Sequence, residues 1–363
     1  MAGYWPDWTA SSFPPSKIDF TKFDILNYAF ALPTSNYDLS IPTDPSGNTL
    51  KSFVKAAKAG NTKAVLSIGG WGGSQYFSPA VRTNSTRATF IGNIVKTYNK
   101  YGLDGIDLDW EYPNQVGNGN QLDGSDTANF QSFLQELRAA LPQGALITGA
   151  VAHRPWLGSN GQPVGSVARA AGAMDYIMIM NYDVWGSSSN PGPNAPLANL
   201  CNNSSQPDAN GASGVKAWAQ AGMPREKILL GIAAYGYLNP SSKTKLRQRT
   251  RAALVSMDGS STSGQINFNT LVSQGALTVG SDGLFAATGG YKKYWDDCSD
   301  TPYLSNGNVV VTYDDTSSIW DKGAFANAAG IAGLSMWSID GDTADWALTK
   351  AALAGMNTSV NKE

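Results

Sequence analysis

A single histidine, His153, and two cysteines, Cys201 and Cys298, leave this chain too few soft ligands for a His- or Cys-based metal cluster. The same scarcity argues against a Ser-His-Asp triad: it would have to use His153, and no G-x-S-x-G turn accompanies it. His153 is read as structural or as a minor groove residue, and neither metal nor cofactor is expected. No apolar run reaches the ~18 residues that span a bilayer, and no signal peptide is visible. Charge is sparse as well. Charged residues make up 15% and the net charge is −2, so neither nucleic acid nor a membrane is expected as partner. The two cysteines would close one long loop, and the sequence leaves open whether their geometry permits a disulfide.

Apolar and aromatic residues are plentiful. Hydrophobic residues are 42% of the chain, with 11 Trp, 15 Tyr and 12 Phe, which supports a sizeable core and argues against disorder. Trp is costly to bury completely, so some of these rings are expected to line a groove, where flat aromatic faces suit the flat apolar faces of sugars. The chain begins almost directly on an apparent strand, AGYW, which predicts a mature form. Sequons stand at Asn84, Asn202, Asn203 and Asn357 and give weak support for secretion.

Short β-rich runs recur near Ala2–Tyr4, Ile25–Phe30, Ala64–Ile68, Gly105–Trp110, Leu146–Val151, Tyr176–Asn181, Ile228–Ala233 and Ala332–Met336. They are nearly continuous in hydrophobicity, as parallel strands covered on both faces are. Thr49–Ala59, Ser85–Tyr101 and Thr127–Leu141 carry helical periodicity between them. The alternation predicts an α/β fold, a closed (β/α)₈ TIM barrel, with a doubly wound open sheet as the runner-up. The seventh and eighth strands are about a hundred residues apart. Between them lie strand-like pieces (ALVSMD, GLFAAT, VVVTYDD) and an amphipathic piece, Asn267–Gln274. These predict a small α+β insertion over 238–310, with 1–237 and 311–363 forming the barrel. An insertion after strand seven would emerge at the C-terminal face and wall a groove.

The densest chemistry is in Tyr101–Pro113, YGLDGIDLDWEYP. On a strand, period 2 sends Asp107, Asp109 and Glu111 to one face and Ile106, Leu108 and Trp110 to the other. Three ionised carboxylates on one face repel, so they are expected to share protons or do chemistry. A calcium loop would be turn-rich, which these flanks are not. Same-face neighbours stand roughly 6.5–7 Å apart at Cα, close enough for Asp107 and Asp109, or Asp109 and Glu111, to share a proton. Asp104 has the opposite parity and is read as structural. Glu111, outermost at the strand's C-terminal end, is the candidate general acid. Paired-carboxylate glycosidases place a second acid across the scissile bond, and none is evident here. The alternative is a sugar that supplies its own 2-acetamido oxygen as nucleophile.

The run DGIDLDWE, Asp104–Glu111, matches the D-G-x-D-x-D-W-E signature of family 18 glycoside hydrolases, the chitinases, which this chain resembles. SIGG at Ser67–Gly70 resembles the family's strand-three motif. Met180, Tyr182 and Asp183 in MNYD resemble the strand-six motif, and Trp337 in SMWSID the strand-eight tryptophan. The insertion resembles the chitinase insertion domain, and several matches look closest to fungal members. The resemblance implies a proton donor and later base in Glu111. Asp109 would hold the acetamido N–H and stabilise an oxazolinium, and Asp107 would hold Asp109 in its other state. Tyr182 would bond the acetamido oxygen, Asp183 would position the −1 sugar, and Trp337 would floor it. Trp71 and Trp185 are proposed for neighbouring subsites, and Tyr235, read as lying on strand seven, for the −1/+1 region, with Tyr4, Trp8 and Trp156 as weaker candidates. Tyr237 stands where many relatives carry Arg, so that Arg contact is not expected. The expectation is a secreted, monomeric chitinase acting with retention on chitin and N-acetylglucosamine oligosaccharides. A chitin-binding lectin and an endo-β-N-acetylglucosaminidase are the alternatives.

Overall fold

The computed structural model describes residues 1–243, 246 and 264–358. Eight parallel strands carry the fold: β1 (Ala2–Pro6), β2 (Ile25–Pro33), β3 (Lys63–Gly69), β4 (Gly105–Asp109), β5 (Leu146–Val151), β6 (Tyr176–Ile179), β7 (Ile228–Ala233) and β8 (Gly333–Trp337). Their order is β1-β8-β7-β6-β5-β4-β3-β2, and β1 also pairs with β2, so the sheet closes into a (β/α)₈ barrel. The runner-up open sheet is thereby excluded.

The chain divides into two compact units, Met1–Met178 with Ala217–Ile228, and Ile179–Lys216 with the described residues from Leu229 onward. In the first, β2 to β5 run in parallel register, with Ser67 opposite Asp107 and Asp107 opposite Thr148. The predicted helices are present at Asn48–Ala59, Asn84–Tyr101 and Asp126–Ala140. Asn84–Tyr101 starts where it does because Thr83 and Thr86 form a reciprocal capping box, and it stops at Gly102, whose φ of 63° suits a residue without Cβ. The apolar face of β4 meets these helices. Trp110 is buried, stacks on Phe77 at 5.2 Å and meets Phe130 edge-on at 5.3 Å. Trp156 joins this core, edge-on to Phe130 and Trp218, and its indole is 4% exposed.

In the second unit β7 and β8 pair in parallel, Gly333 with Leu229 through Trp337 with Ala233. Between them in the chain lies a five-stranded antiparallel sheet, ordered Gln265–Asn267, Tyr235–Pro240, Val309–Thr312, Thr301–Ser305 and Lys292–Asp296. A helix at Phe268–Ser273 and a hairpin of Leu277–Val279 with Phe285–Ala287 complete the insert. GLFAAT and VVVTYDD thus contain strands and Asn267–Gln274 a helix, as expected; ALVSMD lies outside the described residues. One reading needs correction. Tyr235 is not on strand seven, which ends at Ala233; it opens an antiparallel strand paired with Val309–Thr312. Gly236 makes this close pairing possible, because a Cβ there would sit 2.1 Å from the Thr312 carbonyl oxygen. Cys201 and Cys298 form a disulfide, Cα to Cα 5.1 Å, and answer the question the sequence left open. No helix among the described residues is long and apolar enough to cross a membrane.

Candidate active site

Strand β4 puts Asp107 and Asp109 on the face opposite Ile106, Leu108 and Trp110, and all five are buried. Asp107 is held from three sides. The Ser67 and Thr148 hydroxyls donate to it at 2.6 Å each, and the Tyr4 hydroxyl at 3.1 Å. Ser67 and Thr148 reach it because strand register sets them level on the two neighbouring strands. Burial raises the Asp107 carboxyl above its ordinary value, and the three hydroxyls partly offset that rise.

Asp109 differs. Its Oδ1 is buried with no hydrogen-bond partner among the described residues. Burial pushes its carboxyl well above the usual range, and the charges of Glu111 and then Asp107 push it further. A buried, unsatisfied carboxylate oxygen is costly to keep. The arrangement therefore suits a group that gains a partner when substrate binds.

Glu111 stands two residues on and is half-buried. Its backbone is fixed from two sides: its N–H donates to Ser74 Oγ at 2.9 Å, and its carbonyl accepts from Asn120 Nδ2 at 2.6 Å. Ser74 Oγ in turn donates to the Gly70 and Asp109 carbonyls. The glycines of SIGG have a physical reason here. Gly69, at φ 113°, lies so near β4 that a Cβ would come within 2.2 Å of the Asp109 carbonyl oxygen. Gly70 N–H bonds that same oxygen at 2.8 Å. The motif thus presses β3 onto the C-terminal end of β4. Asp104 accepts from the Ala64 N–H and pairs with Lys63 at 3.8 Å, a strand-tying role.

The second unit gathers its own cluster. After β6 the chain passes through half-buried Met180 and Tyr182 and turns at Asp183, whose φ is 56°. Asp183 Oδ1 accepts from both the Tyr235 and the Tyr237 hydroxyl, each at 2.6 Å. Burial raises its carboxyl and the two phenols oppose that. Asn194, itself buried, accepts from Asp183 N–H at 2.9 Å and donates to the Tyr235 carbonyl at 3.1 Å. Tyr182 and Trp337 pack on the core of Ala195, Ala233, Tyr235 and Tyr237. Gly231 leaves room for this, since a Cβ there would be 3.0 Å from the Tyr182 ring. Trp337, at the end of β8, keeps its indole partly exposed.

Other candidates separate by burial. Tyr4 is 2% exposed, and its hydroxyl bonds Asp107 and the Met178 sulfur, so it supports the acids. Trp71 and Trp185 are half-buried, and the Trp185 ring lies against Gly192. Trp8 is 54% exposed near Phe30. Sequence reasoning did not assign Thr148, Ser74, Asn194 or the Tyr237 contact. Thr148 alone carried a usable signal, a polar residue inside an otherwise apolar barrel strand.

Carboxylates stepping toward the C-terminal end of a barrel strand, the innermost one hydrogen-bonded by hydroxyls and the next left open, are the equipment of an acid–base hydrolase. Comparison with known proteins makes the class specific. The model of glycosyl hydrolases family 18 matches residues 1–342, and the chain belongs to that family. A chitinase-like effector of Moniliophthora roreri is 39% identical over 368 residues, covering 94% of this chain and 89% of that protein. A class V chitinase of Arabidopsis thaliana is 30% identical, covering 94% and 86%. Among solved structures, a chitinase from Rhizomucor miehei is 32% identical with a TM-score of 0.85, covering 98% of this chain and 99% of that one. A Cycas revoluta chitinase in complex with (GlcNAc)3 has a TM-score of 0.78 at 26% identity, covering 98% and 99%. The protein is a glycoside hydrolase of the chitinase class.

Proposed function

We propose that the protein hydrolyses β-1,4-linked N-acetylglucosamine polymers and oligomers with retention, the substrate's own acetamido group acting as nucleophile. The observation that carries this reading is the open Oδ1 of Asp109 beside Glu111, in a ladder whose lowest acid is already satisfied. In the first step Glu111 gives its proton to the glycosidic oxygen as the C1–O bond breaks. The acetamido carbonyl oxygen bonds C1, giving an oxazolinium ion. Asp109 turns its free oxygen to the acetamido N–H, and Asp107 stays held by Ser67, Thr148 and Tyr4. In the second step the Glu111 carboxylate takes a proton from water, whose oxygen attacks C1 from the side the leaving group left while the C1–acetamido oxygen bond breaks and the amide is restored. Configuration is retained by two inversions.

Tyr182 is assigned to the acetamido oxygen, Asp183 to positioning the −1 sugar, and Trp337 to its floor. Met180, Trp71, Trp185 and Tyr235 are assigned to binding. Oligosaccharide complexes of the Cycas revoluta chitinase support the substrate class. Secretion and action as a monomer complete the reading.

A second reading rests on two relatives named chitinase-like effectors, from Moniliophthora roreri and Moniliophthora perniciosa at 39% and 33% identity. In it the protein captures chitin oligomers without turnover. One experiment separates the two. Wild type should release the β-anomer first from an N-acetylglucosamine hexamer. Glu111→Gln should lower that rate by about 10²–10⁴-fold while leaving oligomer affinity nearly unchanged. Tight binding with no release by wild type would favour the second reading.

A further inference from the structure

A cleft of about 580 Å³ opens in the second unit among the hairpin of Leu277–Val279 and Phe285–Ala287, the helix Thr316–Ala329 and the helix Ala347–Met356. It shares no residue with the carboxylate ladder or with the Asp183 cluster. Seven large hydrophobic side chains are exposed among the described residues, and three of them, Val279, Leu284 and Trp320, line this one cleft. Such clustering marks a binding surface more than scattered exposure does, and the volume is in the range of small-ligand sites.

The cleft has a rigid aromatic wall. The two helices approach so closely that a Cβ on Gly355 would come 2.2 Å from the Trp320 carbonyl oxygen, and one on Gly323 2.8 Å from the Ala352 carbonyl. The Trp320 backbone is therefore fixed by glycine-mediated packing, while the residue stays 39% exposed. A platform held this way loses little freedom when a ligand stacks on it. The polar part is Asp321, Asp345, Lys350 and Ser317. Asp345 is steadied by the Thr343 hydroxyl at 2.6 Å and by Lys350 at 3.7 Å.

Two carboxylates against one ammonium disfavour a phosphate, sulfate or acidic peptide. A purely apolar ligand would desolvate those carboxylates without replacing their hydrogen bonds. A neutral polyol with apolar C–H faces satisfies both halves: hydroxyls to the acids, ring face to Trp320. Val279 and Leu284 add apolar surface of the size an acetamido methyl can use. We propose that this cleft is a second carbohydrate site, holding a β-1,4-linked N-acetylglucosamine chain without hydrolysing it. The assignment of that sugar rests on the proposed function.

The test uses the full chain. Wild type, Trp320→Ala and Trp320→Phe are compared for adsorption to crystalline chitin in the cold and for kcat/KM on the soluble tetramer. Trp320→Ala should weaken adsorption by about 2–10-fold, the range an aromatic contact supplies, and Trp320→Phe should keep most of it. Turnover of the tetramer should stay within about twofold for both. Equal adsorption by all three proteins overturns the cleft site, as does a parallel fall in tetramer turnover, which would report general damage. If wild type adsorbs through Trp320 but cleaves no tetramer, the hydrolytic reading falls and the cleft stands.

Discussion

The ladder on β4 and the cluster around Asp183 solve the same problem in different ways. Each buries a carboxylate whose proton affinity burial raises. Asp107 receives three hydroxyls and Asp183 two phenols. Asp109, between Asp107 and Glu111, receives none on Oδ1. In the proposed mechanism this contrast would separate supporting acids, satisfied before substrate arrives, from a working one that substrate satisfies. The means of support differ too. The ladder is held by parallel strand register, whereas Asp183 sits on a loop whose continuation is tied by the Cys201–Cys298 disulfide.

The sharpest way to break this comparison is to neutralise the two acids in turn. Asp109→Asn should lower kcat by about 10²–10³-fold, the cost of removing a group that acts on developing charge. Asp183→Asn should act mainly on KM, by about 10-fold, the scale of a hydrogen bond to a charged group. Steady-state kinetics on the tetramer decides it; a larger kcat loss for Asp183→Asn would reverse the roles. Next in size is the covalent support. Replacing both Cys201 and Cys298 by Ser should cost about 2–5 kcal/mol, because the bridge spans a long stretch of chain. The denaturant midpoint should fall, and refolded enzyme should lose oligomer affinity before it loses kcat.

Tyr237→Phe removes one of the two donors that lower the Asp183 carboxyl, so that carboxyl should rise further. If Asp183 works ionised, the acidic limb of the kcat/KM profile moves to higher pH, and Tyr235→Phe moves it the same way. An unmoved limb with both variants would mean Asp183 works protonated. The smallest effect is on stability. Asp109 is raised in the folded state, so ionising it costs the folded protein more than the unfolded one. That burden is absent below the ordinary value of 3.8 and grows as pH rises through the folded value. Asp109→Asn should therefore raise Tm by a few degrees at pH 8, with the gain shrinking on acidification. Asp107→Asn, whose oxygens already have donors, should gain less.

Much of this was legible in the chain. Period-2 parity alone put Asp107 and Asp109 opposite Trp110, and the alternation of apolar runs and helical patterns implied the barrel. Helix limits fell within a residue of those read from periodicity, because the caps at Thr83 and Gly102 are local chemistry. Strand ends were less legible. β6 was expected to run to Asn181 and stops at Ile179, because the chain turns off the sheet toward Asp183. Tyr235 was placed on strand seven for a similar reason: hydrophobicity continues past Ala233 although the pairing partner changes.

The sequence by itself determined which side chains share a strand face, and with it the pairing of Asp107 with Asp109, since side-chain parity is a property of any extended backbone. Tertiary structure decided what each acid meets. Ser67 and Thr148 lie forty and forty-one residues from Asp107, and the two tyrosines lie more than fifty from Asp183. No local rule connects residues so far apart; strand register and the packing of glycines against carbonyls bring them within hydrogen-bond reach. Three acids in a row are written in the chain. That one of them has an oxygen left over is a fact of the fold.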